Sequence, residues 1–567
     1  MKLIKSLLVP LAFAVIPLSG CLTKGSSSAS DPSADTSLSS NSAYSYSEVE
    51  DDAFEVDSSN DRSEQSSPAS ETTIASSSSS EVEGAANTEV PLDTTTAVAP
   101  LPTATETAIA IATETAIATA LETAIEIPTS ALTLTPTLTP TPEPTTGGPV
   151  PNDATVNVYY VDKNDPGADD SNVGTSESEP WKTLDHAYET VRPGDFVYIK
   201  GSTDPTSATA IYDRSRRNGF NIVTPGEAGK LIVFRSYPGH TVILQGNGGK
   251  FGILLDHASY HHFYGFIVRD FEKAAEGGGA KTDITIEKSE FTKTSESGLR
   301  LRDVTNIVLR DVYIHHCNES GVSVRNGKNV LFERVESSFN DDHKGVDGDG
   351  DGFHTYGGDN IVFINAIARS NSEDGFDLNA NATLINVLSE NHPAANLKLW
   401  RRSVDNWAPK KMTVINSIFR NSGETGIKIS EGAELHLYNS IVDNAGEDAI
   451  GFRTPSNESQ TPVTSEIINS IVTNSKEGVI LLPGNLLKVD NDIFFNNDYR
   501  DVFGFSVDAT SLVDVDPMFV DEGDYHLKAD SPAIDKGVVI DDANLQQDID
   551  GQARSMGVSS DIGVDEL

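Results

Sequence analysis

An all-β fold, a right-handed parallel β-helix with a short amino-terminal capping helix, is what this chain of 567 residues predicts. Two observations carry that expectation. First, one short strand recurs behind a turn residue: SGLRLRD at 297, SGVSVRN at 320, DGFHTYG at 351, DGFDLNA at 374, ANLKLWR at 395, TGIKISE at 425 and EGVILLP at 477. The turn residue stands at 298, 321, 352, 375, 396 and 426, in steps of 21 to 23 residues with two longer steps of 31 and 30 where loops are inserted. Second, the strands are β-branched and the turns are Gly and Asn. A period near 22 residues built this way describes a solenoid of parallel strands. Leucine-rich repeats share the period, but their L-x-x-L-x-L frame does not occur.

Four segments follow one another. Residues 1–20 carry Lys2 and Lys5, an apolar run from Leu7 to Pro17, and then Leu18-Ser19-Gly20 before Cys21. That is a secretory signal, too short to span a bilayer stably. Its end resembles a bacterial lipoprotein signal, which implies that Cys21 is the lipidated first residue of the mature protein. An ordinary signal peptide followed by an unrelated Cys is the other reading. Leu22 follows rather than Asp, and by resemblance to lipoproteins of Gram-negative bacteria this implies an exported chain anchored at the outer membrane, or secreted if the anchor is lost. Residues 21–152 are Ser, Thr, Ala, Pro and acid with hardly an aromatic, so they bury too little apolar area to offset ordering entropy and read as a disordered tether. Residues 153–530 hold the repeats, and 531–567 form a carboxyl-terminal cap or extension.

The formal net charge is −44, and no Lys/Arg cluster interrupts it. This argues against nucleic acid and anionic membrane surfaces as partners, and contact with any acidic polymer is expected to need cations. The lipid at Cys21 is the expected membrane attachment, and the chain is expected to be a monomer. Cys21 and Cys317 are the only cysteines, so no intrachain disulfide is expected once Cys21 is lipidated.

Strand alternation assigns faces. Residues one and three places after each turn point inward: Leu299/Leu301, Val322/Val324, Phe353/Thr355, Phe376/Leu378, Leu397/Leu399 and Ile427/Ile429. Residues two places after it, Arg300, Ser323, His354, Asp377, Lys398 and Lys428, form an outward column with about 4.8 Å between rungs. Four places after it come Arg302, Arg325, Tyr356, Asn379, Trp400 and Ser430, also outward. Two asparagine series, Asn365/386/416/439/469 and Asn318/340/371/391/421/444/474, read as ladders in which each amide bonds to the next rung. Thr183 to Val191 reads as an amphipathic helix over the amino-terminal end of the core. The stretch from Asp516 to Gly537 reads as an irregular cover at the other end.

Carboxylates gather on adjoining rungs. Asp351 and Asp374 share the pre-turn position, Glu373 precedes Asp374, and Asp377 projects from the strand three residues on. Carboxylates massed this way repel unless a cation joins them, and Ca2+ takes several hard oxygens from separate parts of a fold. A solvated acidic rim is the plain alternative. The DGDGDG run at 347–352 resembles the opening of an EF-hand loop, but its twelfth position is Gly358 where a bidentate Glu is needed. It reads as an insertion or a second, weak ion site.

These residues resemble polysaccharide lyase family 9, the β-helix pectate lyases. DGF, EDGFDL and NLKLW on successive rungs are similar to that family's Asp-Gly-aromatic, Asp-Asp-Gly-Trp-Asp-Leu and Asn-Gly-Phe-Lys-Leu motifs. The resemblance implies that Asp351, Glu373, Asp374 and Asp377 are Ca2+ ligands and that Lys398 is the base. It further implies β-elimination in an acidic polysaccharide of the pectate kind, with the C5 proton passing to Lys398. A divalent cation one rung away would lower the lysine towards neutrality. Arg300, Arg302, Arg325, Arg401 and Arg402 are candidate clamps for uronate carboxylates. His354, Tyr356, Trp400 and Lys428 are candidate substrate contacts. Each of these has a plain reading too, as a surface charge or a packed ring. Three departures from the family pattern stand out: Glu373 for Asp, Phe376 for Trp and Leu397 for Phe. An alginate lyase or uronan epimerase on the same scaffold, and a non-catalytic glycan-binding solenoid, remain alternatives.

Overall fold

The computed structural model describes residues 156–567 apart from 216, 343–349, 402–409, 457–461, 508 and 555–556. The signal and the tether lie outside the described residues, as do residues 347–349 of the DGDGDG run. Among the described residues one sheet of 32 strands winds through the whole repeat region. Its strands pair in parallel from coil to coil. Phe376–Asn379, Ala382–Ile385 and Leu388–Glu390 make one turn of the coil. They pair with Leu397–Leu399, Lys411–Ile415 and Ile418–Arg420 of the next. The fold is the expected right-handed parallel β-helix.

Its core is one continuous apolar column. The inward residues deduced from alternation are all sealed, from Leu299 at 0% exposure through Thr355 at 1% to Ile429 at 0%. One of its aromatic clusters lies beneath the acidic rungs. Phe353 and Phe376 stack at 4.8 Å, as do Phe332 and Phe363. Each buried Phe contributes about 1.5–3 kcal/mol and each ring pair about 0.5–1.5 kcal/mol more. A short helix, Leu184–Thr190, opens with the Thr183 hydroxyl accepting the His186 N–H at 3.1 Å. Its Leu184, Ala187 and Tyr188 are buried in the same column. No helix among the described residues is long and apolar enough to cross a membrane. Cys317 is buried and unpaired.

The two asparagine series differ in what they do. Asn391, Asn421 and Asn444 form an amide ladder, with Asn421 donating to Asn391 at 3.1 Å and Asn444 to Asn421 at 2.9 Å. All three adopt positive φ, a region Asn tolerates better than most residues. Asn365, Asn386, Asn416, Asn439 and Asn469 share that backbone conformation. Their side chains, however, correct the ladder expectation. Asn416 donates to the Gln547 carbonyl at 2.6 Å, Asn439 to Asp561 and Gly563 at 3.2 Å, and Asn469 to Val538 at 2.7 Å. Only Asn469 to Asn439, at 3.3 Å, is a rung-to-rung bond in this series.

Those bonds reveal where the carboxyl-terminal segment sits. It runs along the flank of the coils rather than over the end of the stack. Ile441, Ile471 and Ile493 occupy one register column and point outward, yet all are 0% exposed. Tyr525, Leu527, Ala533, Ile562 and Val564 cover them. An outward aliphatic stripe needs a partner, and this segment supplies it.

Candidate functional site

The register brings the outward column together. Arg300 faces Ser323, Ser323 faces His354, His354 faces Asp377, Asp377 faces Lys398, and Lys398 faces Lys428. Short strands held on both sides by parallel ladders fix each of these side chains, which is the precision a reactive centre needs. Asp351 and Asp374 reach the same spot from the turns. The Asp374 backbone N–H donates to Asp351 Oδ1 at 3.0 Å, and the Ala395 N–H donates to Asp374 Oδ1 at 2.7 Å. Each turn carboxylate is thereby anchored by one oxygen, which leaves the other for a ligand.

Lys398 lies at the centre of the cluster. Its Nζ is 2.7 Å from Asp377 Oδ2 and 3.5 Å from Asp374 Oδ2, with 30% of its side chain exposed. The Trp400 indole N–H donates to the other oxygen of Asp377. Asp351 is 1% exposed and Asp377 5%. Two further acceptors are buried without any hydrogen-bond donor, Asp351 Oδ2 and Glu373 Oε2. Uncompensated buried oxygens of this kind are costly unless a cation or a proton joins them, so the set suits a hard divalent ion.

The titration of the cluster follows from its crowding. Burial, then the charges of Asp351 and Asp374, push the Glu373 carboxyl up to about 9. Burial, with Asp377 and Asp374 adding to it, holds Asp351 well above the usual carboxylate range. Asp374 is raised as well, first by burial. Burial would also raise Asp377, but the Lys398 ammonium and His354 outweigh it and hold that carboxyl below its ordinary value. For Lys398 burial favours the neutral amine, and Asp377 with Asp374 overrides it, so the group stays protonated well above the usual lysine range. In the metal-free chain Lys398 is the cluster's own counter-ion.

Other candidates fall into different places. His354 is 6% exposed, stacks on Tyr356 at 4.5 Å and puts Nδ1 3.0 Å from Asp351 Oδ2. It belongs to the carboxylate cluster rather than to an open substrate surface. Tyr356 meets Trp400 edge-on at 5.8 Å, so the two rings form one half-exposed wall beside Lys398. Asn379, in the same column, is 0% exposed and donates to the Trp400 carbonyl at 2.8 Å. Arg401 is a correction. It is 5% exposed and donates to the Glu431 carbonyl at 2.8 Å and the Gly432 carbonyl at 2.6 Å. A guanidinium committed to a buried turn cannot clamp a polymer. Arg300 is half-buried and paired with Glu319 at 2.9 Å. Arg302 is half-buried with its Nε lacking a partner. Arg325 is exposed, and Lys428 is half-buried beyond Lys398. Arg402 lies outside the described residues.

Two of the three departures from the family pattern also change meaning. Phe376 and Leu397 are 0% exposed on the inward face, so they adjust core packing and touch nothing in the groove. Only Glu373 varies the site itself. One polar residue went unnoticed in the sequence: Asn396, at the turn position held by Gly on neighbouring rungs, is fully buried with neither amide atom bonded. Its alignment with Gly298, Gly321, Gly352, Gly375 and Gly426 was the available signal.

Fold and site together define a parallel β-helix that presents clustered carboxylates and a lysine on one outward face. Residues 159–406 match the family described as "Pel9A-like, right handed beta helix region", a stretch that contains all five of those residues. Among solved structures, the chain is similar to "Crystal structure of pectate lyase Pel9A", at 16% identity over 72% of this chain and 96% of that one, with a TM-score of 0.42. It is similar also to "Rhamnogalacturonan lyase", at 17% identity over 59% of this chain and 87% of that one, TM-score 0.36. A third is the Azotobacter vinelandii mannuronan C-5 epimerase AlgE6 A-module, at 15% identity over 63% of this chain and 97% of that one, TM-score 0.43. No curated protein matches the sequence.

Proposed function

We propose that the chain is a cation-dependent lyase that cleaves a uronic-acid polymer of the pectate kind by β-elimination, with Lys398 as the base. The observation that carries this reading is the Lys398 amine on an open strand face, one rung from Asp377 and bonded to it at 2.7 Å. Asp351, Glu373, Asp374 and Asp377 are the residues that would hold Ca2+. When bound, the cation would neutralise the uronate carboxylate and so acidify the C5 proton beside it.

The chain's residues do the rest. Lys398 is held protonated by Asp377 and Asp374, and a cation on those carboxylates would weaken that hold. The neutral amine then accepts the C5 proton. The electrons of the C5–H bond become the C4–C5 double bond, the C4–O bond breaks, and the departing oxygen takes a proton from solvent water while Lys398 later returns its own proton to solvent. Tyr356 and Trp400 form the wall against which a sugar ring packs, while Arg325, Arg302 and Lys428 attract neighbouring carboxylates along the groove. The Leu18-Ser19-Gly20-Cys21 run supports lipid attachment at Cys21. A chain so attached works at the cell envelope, and Cys21→Ser would release it.

Polygalacturonate, alginate and rhamnogalacturonan, each with Ca2+ or chelator, test the reading. Ultraviolet absorbance of an unsaturated uronide that appears only with the ion is the expected result. Changed C5 configuration without absorbance would instead mark an epimerase. Binding without any product would leave a glycan-binding solenoid.

A further inference from the structure

We propose that His354 is itself a metal ligand, so that the centre is a mixed nitrogen–oxygen site which prefers ions of the Co2+ and Zn2+ class to Ca2+. The inference rests on reading the cluster as a metal centre and changes which ion that centre selects. Three observations converge on it. Ligand atoms of Asp351, His354 and Asp377 all lie within 4.8 Å of one another, and all three residues are buried. Asp351 Oδ2 has no hydrogen-bond donor, although His354 Nδ1 is 3.0 Å away. A carboxylate oxygen and a ring nitrogen 3.0 Å apart have the spacing of two ligands on one ion. Finally, His354 is fixed by the fold: its strand is paired with Ser323 on one side and Asp377 on the other, and its ring stacks on Tyr356 with an interplanar angle of 21°.

The chemistry of the donors decides the preference. Ca2+ takes six to eight oxygens and gains little from imidazole. Here two carboxylate oxygens are already drawn off, Asp351 Oδ1 by the Asp374 N–H and Asp374 Oδ1 by the Ala395 N–H. Replacing an oxygen with an imidazole nitrogen favours later first-row ions, whose affinity for nitrogen donors rises from Mn2+ towards Cu2+, with Zn2+ close behind. A site of one imidazole with Asp351 and Asp377, completed by Glu373 or Asp374, has the ligand types such ions take.

Chelator-stripped full-length chain titrated with CoCl2 and, separately, with CaCl2 tests this. Co2+ should bind at least about tenfold more tightly than Ca2+. The Co2+ form should show visible absorption together with a hyperfine-shifted, exchangeable imidazole proton in its NMR spectrum, a signature that needs no variant. His354→Ala should cost Co2+ about tenfold or more while changing Ca2+ affinity far less, and His354→Gln, which preserves volume, should behave the same way. Equal or tighter Ca2+ binding, or an NMR spectrum without the shifted imidazole proton, would overturn the inference and leave the calcium reading standing. Failure of both ions to bind would overturn the inference and the metal centre together.

Discussion

Cation affinity at this centre should climb steeply with pH across a range where ordinary carboxylates no longer titrate. Glu373 is held up to about 9, first by burial and then by Asp351 and Asp374, so at neutral pH it carries a proton in the metal-free chain. An ion that binds there must displace that proton. One displaced proton makes the association constant rise about tenfold per pH unit, so moving from pH 6 to pH 8 should tighten binding about hundredfold. Asp351, also raised by burial and its neighbours, adds to that slope. Calorimetry in two buffers of different ionisation enthalpy reads the proton count directly, and Glu373→Gln should lower it by about one. The same shift fixes the sign for stability. A carboxyl raised from 4.5 to about 9 stabilises the metal-free fold fully below pH 4.5, and that contribution is lost as pH rises towards 9. Saturating ion should flatten the loss. An affinity independent of pH between 6 and 8, with no proton released, would refute the reasoning.

Lys398→Ala should abolish turnover while ion binding is retained. In chelator it should also destabilise the chain by about 3–5 kcal/mol, because Asp377 and Asp374 lose their counter-ion; thermal melts with and without ion check this, and surviving activity would move the base elsewhere. Phe376→Trp should cost about 1–3 kcal/mol by overpacking against Phe353 at 4.8 Å, with no change in substrate preference; denaturant midpoints and product assays read the two effects. Arg401→Ala should lower stability by about 1.5–3 kcal/mol through its lost bonds to the 431–432 turn. Arg325→Ala, an exposed change, should instead raise KM at unchanged stability.

Strand periodicity made the coil and its outward column legible, because a side chain two places after a turn has only one face to occupy. Asp377, Lys398 and Lys428 therefore align from their spacing alone, and the strand register agrees. What a column position does is set by its neighbours, and this was hidden. His354 looked like an open contact, whereas closeness to Asp351 makes it a member of the cluster. Arg401 stands after the strand ends, where alternation no longer says which way a side chain turns, and the adjoining turn captured it. The Asn416, Asn439 and Asn469 amides repeat like ladder residues, but their partners come from more than sixty residues further on, a pairing that no local period encodes. The protonation of Lys398 likewise depends on two buried anions.

The flanking carboxyl-terminal segment bears on how this chain comes apart. In a simple stack each coil senses only its nearest neighbours, so unfolding can start at an end and travel inward. Here Asn416 is tied to Gln547 across 131 residues, and Asn439 and Asn469 are tied to the same segment at Gly563 and Val538. Three successive coils, the first and third of which do not pair with each other, thus share a fastener. The last coils are expected to be lost in one cooperative step, and the fastener, being made last from the most distant contacts, sets the pace of refolding.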